Sequence, residues 1–187
     1  VWLSSGGSLG GPGKVACSGP ARGAGGVAGG PSFGAANIMR FAGSCMRQVP
    51  CMPPNPVLMV NAAKGFAKAG QIDSLDNLSQ RRIYVFSGTD DSIVRQPAVD
   101  ATVSFFRQVG VKPDRLQYVN KMPAGHALIT PSYGNDCAAN TNPYISHCNL
   151  DNQGYDQAQA ILQHIYGALN PRVDTPTGQI ISFNQRA

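Results

Sequence analysis

Arg82-Ile83-Tyr84-Val85-Phe86-Ser87-Gly88-Thr89-Asp90-Asp91 is the stretch that decides the fold class. Its first half is β-rich, the bases Arg81 and Arg82 open it, and Gly88 stops it, so it reads as a strand. Thr89-Asp90-Asp91-Ser92-Ile93-Val94 follows at once as a loop. Pro97 then opens a helix predicted to run to about Gly110, with Val99, Val103, Phe105 and Phe106 on its apolar side. Asp114-Arg115 leads into a second strand, Leu116 to Asn120, which gives way to Met122-Pro123-Ala124-Gly125-His126. Strand, helix, strand at these lengths is an α/β pattern with a parallel sheet. In such sheets the chemistry sits at the carboxyl ends of the strands.

Outward from this core the pattern continues. Leu58 to Ala69 has helical spacing through Leu58, Val60, Ala62, Phe66 and Ala69, and Gly70 closes it. Residues 74–78 read as a short helical turn. Gly23-Ala24-Gly25-Gly26-Val27-Ala28 fits the dinucleotide pattern G-x-G-x-x-A, but Gly29-Gly30-Pro31 stops any helix and no acid follows before Asp73. A buried strand of small residues ending in a turn is the better reading. Residues 32–57 read as an irregular surface excursion. The last strong helix is Tyr155 to Leu169, with Ala158, Ile161, Leu162, Ile165 and Leu169 on one face. Residues 173–187 read as a polar extension with a strand expected at Gln179 to Phe183.

The chain opens Val1-Trp2-Leu3-Ser4-Ser5-Gly6-Gly7, a short apolar strand leading into a turn that presents a hydroxyl. A nucleophile elbow has this form: a serine on a tight strand-to-helix turn among small neighbours. Here Trp2 stands where the pattern has its first glycine. Gly10-Gly11-Pro12-Gly13 occupy what should be the elbow's helix, at a cost of several kcal/mol on intrinsic scales.

The bulk numbers narrow the partners. At 187 residues the chain can bury one sizeable core. All ten acids are aspartate, and residues 1–72 carry no acid and six bases, Lys14, Arg22, Arg40, Arg47, Lys64 and Lys68. Those bases are scattered and lack interleaved aromatics, so the formal +5 charge reads as solvated surface and no nucleic-acid partner is expected. No apolar run approaches transmembrane length. The five cysteines, at 17, 45, 51, 137 and 148, contain no C-x-x-C pair, which leaves no zinc-site spacing. A bridge between Cys137 and Cys148 would restrain a polar loop; Cys45 and Cys51 could form a second, leaving Cys17 over. Two bridges would place the chain in an oxidising compartment.

Three groups fall at strand ends: Ser4, Asp90 or Asp91, and His126. Their order is Ser, Asp, His, the order of α/β-hydrolase triads. A serine hydroxyl needs an imidazole to take its proton, and the imidazole needs a carboxylate to hold its tautomer. Spacing does not choose between Asp90 and Asp91. His147 lies in the cysteine-bounded loop, and His164 lies in the last helix, where a structural or surface role is expected.

From Leu78 to Arg172 the sequence resembles the extracellular polyhydroxyalkanoate depolymerases, the circularly permuted type acting on poly(3-hydroxybutyrate). The resemblance is carried by Gln80-Arg81-Arg82-Ile83-Tyr84, Ser87-Gly88-Thr89-Asp90-Asp91-Ser92-Ile93-Val94, Gly125-His126 and Asn135-Asp136-Cys137. It continues through Asn142-Pro143-Tyr144-Ile145-Ser146-His147-Cys148-Asn149 and Ile165-Tyr166-Gly167-Ala168-Leu169-Asn170. Leu3-Ser4-Ser5-Gly6-Gly7 and Val27-Ala28-Gly29-Gly30-Pro31 extend it to the front.

The resemblance implies a mostly parallel α/β-hydrolase sheet with flanking helices. It makes Ser4 the nucleophile, Asp91 the orienting acid, His126 the general base and the backbone N–H of Ser5 an oxyanion donor. It implies a secreted or periplasmic serine esterase that cleaves a polyester or small ester through an acyl-enzyme, with no metal or organic cofactor and no membrane partner. Residues 1–172 would be the triad-bearing part of a single catalytic domain, and 173–187 an extension leading to a second half that brings the other oxyanion donor. Gly34 stands where the family often has a cysteine that would pair with Cys45. Competing readings are a feruloyl or acetyl esterase and a catalytically inactive fragment.

Overall fold

A computed structural model describes residues 2–3, 18, 22–29, 55–173, 175, 177–179 and 181–182. In chain order these form β1 (Trp2–Leu3), β2 (Gly23–Val27), α1 (Pro56–Lys68), α2 (Asp76–Ser79), β3 (Arg82–Phe86), α3 (Gln96–Gln108) and β4 (Leu116–Val119). There follow β5 (Leu128–Thr130), β6 (Ile145–His147), β7 (Asn149–Leu150), β8 (Gln153–Gly154) and α4 (Gln157–Tyr166). A 3₁₀ turn at Pro113–Arg115 feeds β4.

The first four strands make one parallel sheet in the order β1-β2-β3-β4. Leu3 pairs with Val27, Val27 with Phe86, and Phe86 with Val119. The four carboxyl ends are therefore level, and three loops leave the same edge of the sheet. That register is what brings strand-end residues together.

Both faces of the sheet are covered, as parallel sheets require. The Tyr118 hydroxyl donates to Asp100 of α3 at 2.7 Å, and Tyr118 is in register with Val85, so α3 lies on the Val85 face. On the other face Arg82 reaches the His164 carbonyl of α4, and the Tyr84 hydroxyl lies 2.7 Å from that of Tyr155. Ile83, Tyr84, Val85 and Phe86 are consequently all buried. Phe105 and Phe106 pack edge to face, with ring centroids 5.6 Å apart. β2 is built of small residues for a local reason. A Cβ on Gly23 would run into the Arg82 carbonyl and come within 3.0 Å of Ile165 Cγ2.

Helix ends follow the local chemistry. The Asn55 side chain accepts from the N–H groups of Val57 and Leu58 and starts α1, with Pro56 in the first turn. Asp156 caps α4 by accepting from Gln159 N at 2.9 Å. α1 therefore begins two residues before the expected Leu58.

Two helix faces differ from the expected ones. α1 buries Met59, Val60 and Ala63 while Leu58 is 66% exposed, so its packed stripe is turned by about one residue. α4 is shorter than expected and buries Gln157 and Ile161; Ala158, Leu162 and Leu169 are exposed. Gln157 lies on the packed side because its Oε1 accepts the Ile129 N–H, and Ile165 of the expected face packs against the core beside it. The cysteine-bounded loop also holds more structure than expected, since β6 within it pairs in parallel with β5. Gln179, Ile181 and Ser182 carry no strand. Ser4, Ser5, the Gly10–Gly13 run, residues 30–54, and Cys17, Cys45 and Cys51 lie outside the described residues.

Candidate active site

The loop after β3 and the loop after β4 run side by side. Ser87 N donates to Val119 O at 3.0 Å, Thr89 N to Met122 O at 2.8 Å, and Asp90 N to Ala124 O at 3.1 Å. The sheet's ladder thus continues past the strands into both loops. Gly88 permits this approach: a Cβ there would collide with the Ala124 carbonyl.

At the end of this ladder Asp91 turns inward and Asp90 outward. Asp91 Oδ1 accepts from Ile93 N at 2.9 Å and from Val94 N at 2.8 Å, the pattern of an aspartate ordering its own turn. Its other oxygen, Oδ2, lies 2.8 Å from His126 Nδ1. The two side chains are 0% and 3% exposed. A carboxylate only accepts, so Nδ1 carries the proton and donates. That leaves Nε2 as the ring's proton acceptor. The structure therefore separates the two adjacent aspartates that spacing alone left equivalent.

The histidine loop rests on the disulfide-bonded segment. Cys137 and Cys148 are bridged, with Cα atoms 4.8 Å apart. Gly125 N donates to Cys137 O at 2.8 Å, and a Cβ on Gly125 would strike the backbone of Ala138 and Ala139. The Tyr144 ring meets His126 edge on, with centroids 5.8 Å apart. Asn140 is half-buried between the loops, where its amide bonds backbone groups of both.

The other two histidines stand apart from the pair. His147 Nδ1 lies 3.3 Å from the Gly134 carbonyl on the exposed side of β6. His164 Nε2 lies 3.1 Å from the Arg115 carbonyl and ties α4 to the 3₁₀ turn that feeds β4. Among the described residues no group of three or more His, Cys, Asp or Glu side chains could hold a metal ion. No helix among them is long and apolar enough to cross a membrane. Asn140 and Tyr144 are the residues that sequence reasoning left out of the site. Tyr144 stood within a quoted motif; Asn140 carried no signal of its own.

No family model matches the sequence. A poly(3-hydroxybutyrate) depolymerase of Delftia acidovorans is 40% identical over 187 residues, which covers 98% of this chain and 36% of that protein. The chain is a relative of the poly(3-hydroxybutyrate) depolymerases. A polyhydroxybutyrate depolymerase of Talaromyces funiculosus is 37% identical over 121 residues, covering 62% of this chain and 33% of its own. A PHB depolymerase structure from Penicillium funiculosum matches with a TM-score of 0.79 at 31% identity. So does a serine-to-alanine PHB depolymerase complexed with an R3HB trimer. Each match covers 93% of this chain and 52% of the neighbour. The chain thus spans about a third of the length of the curated depolymerases it matches and about half of the solved ones. The α/β fold expected from the β3 stretch and the family read from the motifs both hold.

Proposed function

We propose that the chain supplies the acid–base machinery of a serine esterase acting on polyhydroxyalkanoate esters, with Ser4, His126 and Asp91 as the triad. The observation that carries this is the buried Asp91 Oδ2 to His126 Nδ1 contact at 2.8 Å. It lies on two strand-end loops level with the end of β1, which immediately precedes Ser4 in the sequence. The 40% identity to a poly(3-hydroxybutyrate) depolymerase supports the substrate class.

In this reading His126 Nε2 takes the Ser4 hydroxyl proton as Oγ attacks the ester carbonyl carbon. Asp91 holds Nδ1–H in place and stabilises the imidazolium that forms. The tetrahedral oxyanion receives the Ser5 N–H, one donor being worth about 3 kcal/mol in transition-state stabilisation. Collapse breaks the ester C–O bond, and the leaving alkoxide takes the proton from Nε2. Water then repeats the cycle on the acyl-serine, releasing the hydroxyacid. Residues 1–172 would carry this machinery within a single catalytic domain. The disulfide favours a secreted or periplasmic setting.

The test is hydrolysis of short (R)-3-hydroxybutyrate oligomers by the full chain, with fluorophosphonate labelling read at Ser4. Activity removed by Ser4→Ala, with release of hydroxybutyrate, is the expected result. Folded protein without labelling sinks the nucleophile assignment. Turnover of feruloyl or acetyl esters with none of hydroxybutyrate sinks the substrate class.

A further inference from the structure

We propose that Asn140 is the positioning residue that sets the geometry between Asp91 and His126, and that the disulfide-bonded loop delivers it. The inference rests on the acid–base reading of that pair.

The backbone ladder between the two loops ends at Asp90 N to Ala124 O. Beyond that rung, at the level of the reactive side chains, the Asn140 side chain takes over. Its Oδ1 accepts from Ser92 N at 3.0 Å and from His126 N at 2.9 Å. Its Nδ2 donates to Asp90 O at 3.0 Å and to Ala138 O at 3.0 Å. A primary amide offers two donors and two acceptor sites, and all four are used. The partners fix its orientation. A flipped amide would set its oxygen against two carbonyls and its NH₂ against two N–H groups.

The choice of partners is what gives the residue its role. Asp90 O and Ser92 N flank Asp91 on either side, and His126 N belongs to the base itself. One planar group therefore spans the peptides that aim the carboxylate and the peptide that aims the imidazole. Its own backbone is anchored close by, because Cys137 O holds Gly125 N and Ala139 N donates to Asp136 O at 3.0 Å. The Cys137–Cys148 bridge closes the loop that carries it. Asn140 touches no reacting atom in the proposed mechanism; it acts through Asp91 and His126.

The experiment uses the full chain with Asn140→Ala and Asn140→Asp. Asn140→Asp keeps the side-chain volume and both acceptor sites but turns a carboxylate oxygen toward Asp90 O and Ala138 O. Three quantities are read: kcat and KM on a soluble 3-hydroxybutyrate ester, the low-field proton resonance of the His126 ring N–H, and the thermal melt. The expected result is a fall in kcat of about 10²-fold with KM little changed, the scale set by a misplacement on the order of 1 Å. The ring N–H resonance should broaden or shift upfield in both variants while the melt stays cooperative. If Asn140→Ala fails to fold, Asn140→Asp decides.

Variants that only lower the melting temperature, with kcat and the ring resonance unchanged below the melt, overturn the proposal. The resonance is also read in the Ser4→Ala background, so it reports on Asn140 without turnover. A chain that hydrolyses no ester but shows the Asn140-dependent resonance fails the esterase reading alone. An active chain insensitive to Asn140 in both readouts fails this inference alone.

Discussion

The carbonyl of Cys137 accepts the backbone N–H of Gly125 at 2.8 Å, so a disulfide half-cystine holds the residue next to His126. Covalent closure of one loop is thereby coupled to the aim of an imidazole on another.

Reduction of the Cys137–Cys148 bridge, or Cys148→Ala, should lower both stability and turnover. Loop-closure arguments put the stability loss at about 3 kcal/mol for a loop of this order. Melts with and without reductant check the first part and steady-state kinetics the second, while hydrogen exchange at the Gly125 amide reads the coupling between the loops. An unchanged Gly125 exchange rate after reduction would show that the loops are not coupled.

Asp91→Asn should leave the fold nearly intact and remove most activity. The amide oxygen can still accept from Ile93 and Val94, but its NH₂ would face His126 Nδ1 and force the proton to Nε2. The wrong tautomer cannot accept the serine proton, and a loss on the order of 10⁴-fold in kcat is expected. Steady-state kinetics beside a thermal melt test this. Asp90→Asn, on the exposed neighbour, should change kcat little.

Gly125→Ala and Gly88→Ala should each destabilise the site, because each new methyl meets backbone that cannot swing away. Overpacking of this kind costs about 1 to 3 kcal/mol. Gly70→Ala provides the contrast: it has open space but a positive φ of 69°, so its cost is conformational strain on a surface turn. The expected pattern is lost activity at 88 and 125 with activity kept at 70. Equal activity in all three variants contradicts the close-approach account.

Alkaline stability should depend on Tyr84. Burial, then the adjacent Tyr155 hydroxyl, holds its phenol well above the ordinary range, and burial also raises Tyr155. An unfolded tyrosine ionises near pH 10. The stabilisation is therefore complete below about pH 10 and is lost as pH rises above it, because the unfolded state releases a proton that the folded state keeps. Tyr84→Phe should cost about 1 kcal/mol at neutral pH through the lost hydrogen bond. It should also flatten the alkaline decline. Melts across this pH range, with phenolate absorbance, test it; complete tyrosine ionisation before any loss of native circular dichroism would rule it out.

The α/β core was legible because its signals are local. β3 announces itself through consecutive β-formers and Gly88, and α3 through Pro97 and the Val99, Val103, Phe105 and Phe106 spacing, all four of which are buried. The α4 face was misread because helical spacing counts apolar residues only. A buried Gln157, whose Oε1 accepts the Ile129 N–H, takes a place on the packed face that no hydrophobic pattern records. β5 and β6, at three residues each, are too short to show a period.

The candidate site divides in the same way. His126 was visible from its place after a strand. Choosing Asp91 over Asp90 took the resemblance, and the structure gives the physical reason: one side chain turns into the core and its neighbour turns out. Asn140 was invisible because its partners are backbone atoms up to 50 residues away. A side chain that works by bonding peptide groups leaves no mark in composition or spacing.

Among the described strands of the main sheet, spatial order repeats chain order: β1, β2, β3, β4. None of these described strands has to be slotted between two already joined. Each can dock on the outer edge of its predecessor as the polypeptide emerges from the ribosome. Asp91 follows the third strand in the chain, His126 follows the fourth, and the loop that carries Asn140 comes after both. The Asp91–His126 contact therefore needs everything from β3 to the disulfide-bonded loop to have been made, and α4, which covers one face of β3, comes later still.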